Sequence, residues 1–109
     1  MKVLPLVAAV AAVFAFSTAN AAPDADAANK VLKDNGCTKC HSVDKAKKGP
    51  AFKKVAADLK GKADAEAKLT KFLTTGPKVK MDDGTEEEHK VVKGDAATVK
   101  NLVQWILAQ

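Results

Sequence analysis

The sequence predicts an all-α fold of four to five short helices, with one short hairpin before the last helix. Apolar residues recur at helical spacing in four segments, and glycine or a glycine-proline step follows three of them. No other stretch alternates apolar and polar residues for long enough to suggest a sheet of several strands.

The first two predicted helices flank a short segment that contains both cysteines. The first helix runs from Asp26 to Asn35, and Gly36 follows as its C-cap. The second has Pro50 in its first turn, where the missing N–H of proline is no disadvantage, and it stops near Gly61. The apolar positions that predict these helices are Ala27, Val31 and Leu32 in the first, and Phe52, Val55, Ala56 and Leu59 in the second.

The third and fourth predicted helices each begin at an aspartate. Asp64 caps the third helix, which the Gly76-Pro77 step ends, and Asp95 caps the fourth, which continues to the C-terminus. Their apolar stripes are Ala65, Leu69, Phe72 and Leu73 in the third, and Val99, Leu102, Val103 and Ile106 with Trp105 beside them in the fourth.

A segment of about seventeen residues separates these two helices, and a loop of that length in a small domain usually has a function. Val79 and Met81 alternate with lysines, and Asp82-Asp83-Gly84-Thr85 has the composition of a turn. The segment therefore predicts a short hairpin that returns toward His89.

The first 21 residues have the features of a secretory signal peptide. Lys2 precedes an apolar run from Val3 to Phe16, about fourteen residues against the roughly twenty that span a bilayer. Ala19-Asn20-Ala21 supplies the small residues of a cleavage site, and no basic cluster follows that would favour an uncleaved anchor. We therefore expect cleavage near Ala21, export to the periplasm without stable membrane insertion, and one domain over residues 22–109.

The charge of this domain argues against nucleic acid as a partner. Without the signal peptide, 17 basic residues against 13 acidic ones give a net charge of +4, and every basic residue is lysine. A surface without arginine or clustered aromatic residues is poorly suited to bidentate phosphate recognition or to base stacking.

Residues 37–41 read CTKCH, and three readings without a prosthetic group explain this motif poorly. A disulfide between Cys37 and Cys40 would close a tiny loop and stabilise the fold little. A thioredoxin-like redox pair needs a preceding strand in a βαβ unit, whereas here a helix precedes. Zinc would need two further ligands, for which only His41 and His89 remain.

Covalent haem attachment accounts for all three residues of the motif at once. In C-x-x-C-H sequences the two thiols, here Cys37 and Cys40, add to the haem vinyl groups, and the adjacent imidazole, here His41, reaches the iron. The sequence therefore predicts one haem c, with its iron, per chain.

With this motif the chain resembles the small bacterial class I cytochromes c over residues 26–109. NGCTKCH follows a short helix, GPAFKKVA lies just downstream, and LVQWIL falls in the last helix. The resemblance implies short helices around one covalently bound haem. It also implies that the first and last helices cross, with Leu32 and Gly36 near Leu102 or Trp105.

The resemblance also assigns the proximal side of the haem. It implies that His41 is the proximal ligand and that the backbone carbonyl of Pro50 accepts a hydrogen bond from its imidazole. Such a contact fixes the tautomer of the ligand and raises its basicity.

The distal side departs from the family pattern. The usual distal ligand there is a methionine some six residues before the C-terminal helix and roughly sixteen before its aromatic residue. Met81 lies 14 residues before Asp95 and 24 before Trp105, whereas His89 lies 6 and 16 residues before them. We therefore expect a bis-histidine variant with His41 and His89 as ligands, and Met81 stays the alternative distal ligand.

These features predict a periplasmic one-electron carrier that cycles between Fe(III) and Fe(II) and is not an enzyme. A bis-histidine site should have a lower potential than a Met/His site. Two other functions stay open. One is a gas-binding or peroxidase-like haem protein, which the absence of arginine disfavours, and the other is an electron-entry subunit of an exported oxidoreductase.

The expected partners are redox proteins with acidic docking surfaces, and we expect this chain to be a monomer. Lysines would steer weak, transient docking by long-range attraction. The candidates are Lys39, Lys45, Lys47, Lys48, Lys53 and Lys54.

Overall fold

The computed structural model describes residues 22–109, so the predicted signal peptide, residues 1–21, lies outside the described residues. The helices are α1 (Ala25–Asp34), α2 (Phe52–Leu59), α3 (Ala65–Thr75) and α4 (Ala96–Leu107). The strands β1 (Lys78–Lys80) and β2 (Glu86–Glu88) pair antiparallel. The predicted all-α fold with one short hairpin is confirmed. Within residues 22–109 no helix is long and apolar enough to cross a membrane.

Three of the four helices begin directly after an aspartate. Only two of these aspartates accept a capping hydrogen bond through the side chain. The carboxylate of Asp24 accepts from the amide of Ala27 at 3.0 Å and begins α1. That of Asp95 accepts from the amide of Thr98 at 2.8 Å and begins α4, as predicted. Asp64 stands at the predicted N-cap of α3 but makes no capping hydrogen bond; its carboxylate instead lies 3.3 Å from Lys68 Nζ.

The prediction that Pro50 lies in the first turn of α2 is wrong, because α2 begins at Phe52. Its N-cap, Ala51, is extended, with φ −60° and ψ 144°. The amide of Phe52 donates to the carbonyl of Ser42 at 3.0 Å, which pins the start of the helix to the loop after the cysteine motif. Pro50 is therefore left outside the helix, with its carbonyl turned toward His41.

The core is built around α4, which packs against α1, α2 and α3. Leu102 and Val103 are the most deeply buried side chains of α4, at 1% and 0% exposure. Burial of such side chains stabilises a fold by about 1.5–3 kcal/mol each. Leu32 of α1 belongs to the same buried cluster as Leu102 and Trp105, in agreement with the expected contact between the first and last helices.

Candidate haem site

The two cysteines lie in a tight turn directly after α1. Residues Cys37–Lys39 form a single 3₁₀ turn, and the carbonyl of Cys37 accepts from the amides of both Cys40 and His41, at 3.1 and 3.0 Å. Both thiols are free and partly exposed, and burial raises the pKa of the Cys37 thiol. Within residues 22–109 no three His, Cys, Asp or Glu side chains converge as a metal site, so the four ligands that zinc would need are not gathered.

The imidazole of His41 is fixed by a backbone carbonyl and by an aromatic ring. Its Nδ1 lies 2.7 Å from the carbonyl oxygen of Pro50. Because a carbonyl only accepts hydrogen bonds, Nδ1 carries the proton and Nε2 keeps its lone pair for a metal. Phe52 stacks on the ring at a centroid distance of 5.2 Å and an interplanar angle of 21°.

Gly49 lets the backbone pass against the His41 imidazole. A Cβ at this position would lie 2.4 Å from Cε1 of His41 and 2.8 Å from each ring nitrogen, which is well inside ordinary contact distance. The loop also closes on the motif through a 2.8 Å hydrogen bond from the amide of Gly49 to the carbonyl of Cys40. The Gly-Pro step therefore works as a unit, in which Gly49 makes room for the ring and Pro50 binds it.

His89 leaves the hairpin on the opposite side of the site. Its amide donates to the carbonyl of Pro77 at 2.9 Å, which extends the strand pairing by one residue. Its Nδ1 lies 2.9 Å from the carbonyl of Lys90, so this imidazole too keeps Nε2 available as a ligand atom. Burial lowers the pKa of His89, which favours the neutral form that binds metals.

The two imidazoles lie near each other, at a separation that would suit one metal ion in the gap between them. Their ring centroids are 6.1 Å apart, with an interplanar angle of 48°. Two metal–nitrogen bonds of about 2 Å, plus the distance from each nitrogen to its ring centre, would separate the centroids by roughly 6 Å. The side chains that flank the gap are also suited to an apolar macrocycle, since Phe72 packs on His89 and Phe52 on His41. The residues present therefore fit a haem held between two histidines.

Met81 lies at the far end of the hairpin from this gap. Its amide donates to the carbonyl of Thr85 at 2.7 Å, and its carbonyl accepts from Gly84 at 3.0 Å, so it begins the turn between β1 and β2. Since Pro77 pairs with His89, Met81 is four residues further along the ribbon, or about 13 Å at the usual rise of a strand. The ring of His89 therefore lies beside that of His41, whereas the backbone of Met81 lies further along the hairpin.

The sequence pattern does not indicate that three residues, Phe72, Gly76 and Asn35, contact the segment of residues 89–93. Phe72 was assigned to the apolar stripe of its helix, yet it is 36% exposed and contacts His89. Gly76 ends α3, as the sequence predicts, and its backbone also passes close to the carbonyl oxygen of His89. Asn35 is the only polar side chain that is buried among the described residues, and its Oδ1 accepts from the amide of Lys93 at 3.1 Å. No local pattern indicates these contacts, because each joins residues that are distant in the sequence.

Comparisons with known proteins identify several that are similar to this chain. A family model described as cytochrome c matches residues 25–109. Cytochrome c-551 of Allochromatium vinosum is 38% identical over 93 residues, which cover 85% of this chain and 97% of that protein. Cytochrome c-551 of Pseudomonas aeruginosa is 34% identical over 79 residues, which cover 72% of this chain and 73% of that protein.

Two solved structures are also similar. The class 1 cytochrome MtoD from Sideroxydans lithotrophicus ES-1 has a TM-score of 0.78 and 54% identity, covering 80% of this chain and 97% of that one. Cytochrome c552 of Nitrosomonas europaea has a TM-score of 0.61 and 30% identity, covering 73% of this chain and 96% of that one.

Proposed function

The chain belongs to the cytochrome c family and is a monohaem electron carrier, and we propose that it works in the periplasm with His41 and His89 as its axial ligands. Its haem c supplies the one-electron exchange between Fe(III) and Fe(II). The chain's own residues attach this group, orient two imidazoles and shield the space between them. As a carrier it has no substrate to bind or transform.

Attachment is the task of the two free thiols. Each S–H of Cys37 and Cys40 would add across one vinyl double bond of the haem, so that a thioether would form without an oxidant or a leaving group. The 3₁₀ turn keeps both thiols and His41 on one short segment, and this arrangement lets covalent attachment deliver the proximal imidazole to the iron. The Pro50 carbonyl then holds that imidazole as the Nδ1–H tautomer.

The observation that supports the distal assignment is the matched pair of imidazoles. Both His41 and His89 donate Nδ1–H to a backbone carbonyl, and their centroids lie 6.1 Å apart. Two rings at this separation that each bind a carbonyl through Nδ1, and so can present Nε2 to a metal, are what a six-coordinate bis-histidine iron would need. The position of Met81 in the hairpin turn counts against the methionine alternative.

We also propose that docking uses the exposed lysines around the cysteine motif and an acidic partner surface. Three of the six candidates already have acceptors: Lys47 Nζ donates to the carbonyl of Thr38, and Lys53 and Lys54 pair with aspartates. Lys39, Lys45 and Lys48 have no such contact among residues 22–109, so their charges are the better candidates for steering a partner. Electron transfer to an acidic partner should then slow as salt screens the attraction.

The test of the ligand assignment compares His89→Ala with Met81→Ala, both as purified holoproteins. His89→Ala should become high-spin or water-ligated in the ferric state and should newly bind carbon monoxide when reduced, because the sixth position loses its ligand. Met81→Ala should keep the low-spin spectrum of the parent. The haem of all three proteins should survive acid-acetone extraction, since thioethers hold it.

Three results would contradict parts of this proposal. A sulfur-to-iron charge-transfer band that disappears in Met81→Ala, with His89→Ala spectrally silent, would assign the distal position to Met81. Extractable haem would exclude attachment through Cys37 and Cys40. Rapid, stoichiometric binding of carbon monoxide by the unaltered reduced protein would support a gas-binding function instead of a carrier.

A further inference from the structure

We propose that Phe72 is a positioning residue that sets the plane of the distal imidazole. The inference rests on the proposed ligation by His89 and adds a residue that acts on that ligand. Phe72 and His89 form a T-shaped pair with a centroid distance of 4.8 Å and an interplanar angle of 63°. Aromatic rings attract in this arrangement because the positive edge of one ring meets the negative face of the other.

The protein core buries Phe72 less deeply than the other large apolar residues of its helix. The other two large apolar residues of the α3 stripe, Leu69 and Leu73, are 8% and 7% exposed, whereas Phe72 is 36% exposed. A large aromatic side chain that stays this exposed contributes less to the core than its stripe neighbours do. Its ring instead lies against the imidazole of His89, where it restricts the orientation of that side chain.

The backbone of the His89 segment is already tied to the end of α3, so ring rotation is the main freedom left to the imidazole. The amide of His89 donates to Pro77, and the amide of Val92 donates to the carbonyl of Leu73, both at 2.9 Å. Gly76 has the left-handed conformation, with φ 57°, and a Cβ there would lie 2.5 Å from the carbonyl oxygen of His89. This close passage is open only to glycine and fixes the distance between the segment and α3.

Two contacts then determine the imidazole plane. The carbonyl of Lys90 holds Nδ1, which fixes one point of the ring, and Phe72 limits rotation about that point. On the proximal side Phe52 also contacts its imidazole, although there the two rings are stacked at an interplanar angle of 21°. Each of the two imidazoles thus contacts its own phenylalanine, and the two imidazole planes differ by 48°.

The test uses holoproteins that carry Phe72→Leu, Phe72→Tyr or Val91→Ala. Phe72→Leu keeps apolar volume but removes the ring, Phe72→Tyr keeps the ring, and Val91→Ala removes another exposed apolar side chain near His89, itself 43% exposed. The first readout is the set of EPR g-values of the ferric protein, which depends on the angle between the axial ring planes. The second is the rate of carbon monoxide binding to the reduced protein, which requires His89 to leave the iron.

We expect Phe72→Leu to shift the g-values and to speed carbon monoxide binding by roughly two- to tenfold, the range of an aromatic pair's contribution. Phe72→Tyr and Val91→Ala should stay close to the parent in both readouts. Unchanged g-values and rates in Phe72→Leu would overturn the proposal, and so would equal effects in Phe72→Leu and Phe72→Tyr or in Phe72→Leu and Val91→Ala. A low-spin His89→Ala would instead overturn the ligand assignment itself, which keeps the two failures distinguishable.

Discussion

Substitution of Gly49 by alanine tests directly how the proximal ligand is held. The added Cβ would lie 2.4 Å from Cε1 of His41, whereas ordinary contact begins at 3.4 Å. Either the imidazole or the loop must therefore move by about 1 Å, and overpacking of this kind costs about 1–3 kcal/mol. Movement of the ring also lengthens the 2.7 Å hydrogen bond to Pro50, so the substitution affects the ligand as well as the fold.

The assay is thermal unfolding of the holoprotein, followed by Trp105 fluorescence, together with the ferric visible spectrum. A loss of about 2 kcal/mol should lower the Tm of a domain of this size by roughly 8–16 °C. We expect this loss together with a spectral change, because the imidazole is displaced from its carbonyl partner.

Gly61→Ala is the matched control. Gly61 has φ 77°, but a Cβ there has no neighbour within 4 Å, so alanine meets only the backbone strain of the left-handed region. That strain costs about 1–2 kcal/mol and should leave the haem spectrum unchanged. If Gly49→Ala has parental stability and spectrum, the His41 ring does not lie against this backbone and our account of the proximal side is wrong.

Two further predictions concern stability. Asn35→Ala should lower the free energy of unfolding by about 1–3 kcal/mol, because it removes a buried amide that accepts from Lys93; Asn101→Ala, which removes exposed hydrogen bonds, should cost less in the same denaturation assay. Hydrogen bonds from the side chain and the backbone of Thr98 lower the pKa of Asp95. The stability from this cap is thus present above the ordinary aspartate pKa and is lost as pH falls below about 4. Asp95→Ala should therefore be less stable than the parent protein at neutral pH. On acidification below about pH 4, the variant should lose less stability than the parent does, which urea unfolding at neutral and at acidic pH would measure.

Local chemistry made the helices and the hairpin predictable. Asp95 and the Gly76-Pro77 step mark ends that depend on a few neighbouring residues, and the composition of residues 82–85 specifies a turn wherever it occurs. Pro50 is the exception. The neighbouring residues favour a place for Pro50 in the first turn of α2. Hydrogen bonds from Phe52 to Ser42 and from His41 to Pro50 instead keep this segment extended.

The cysteine motif was informative for a similar reason, since the chemistry of covalent attachment requires three residues within five positions. The sequence by itself therefore determined the prosthetic group, the proximal candidate His41 and the helical class of the fold. It also indicated His89 by its distance from the last helix, while Met81 stayed an alternative.

Only the tertiary structure decided which residues from distant parts of the sequence contact each other. The pairing of His41 with His89, the ring of Phe72 against the distal imidazole, and the hydrogen bond from Lys93 to Asn35 join residues 48, 17 and 58 positions apart. Such contacts depend on how α1, α2 and α3 pack around α4, and the burial of the whole apolar cluster drives that packing. No short segment carries this information, because burial is a property of the assembled chain.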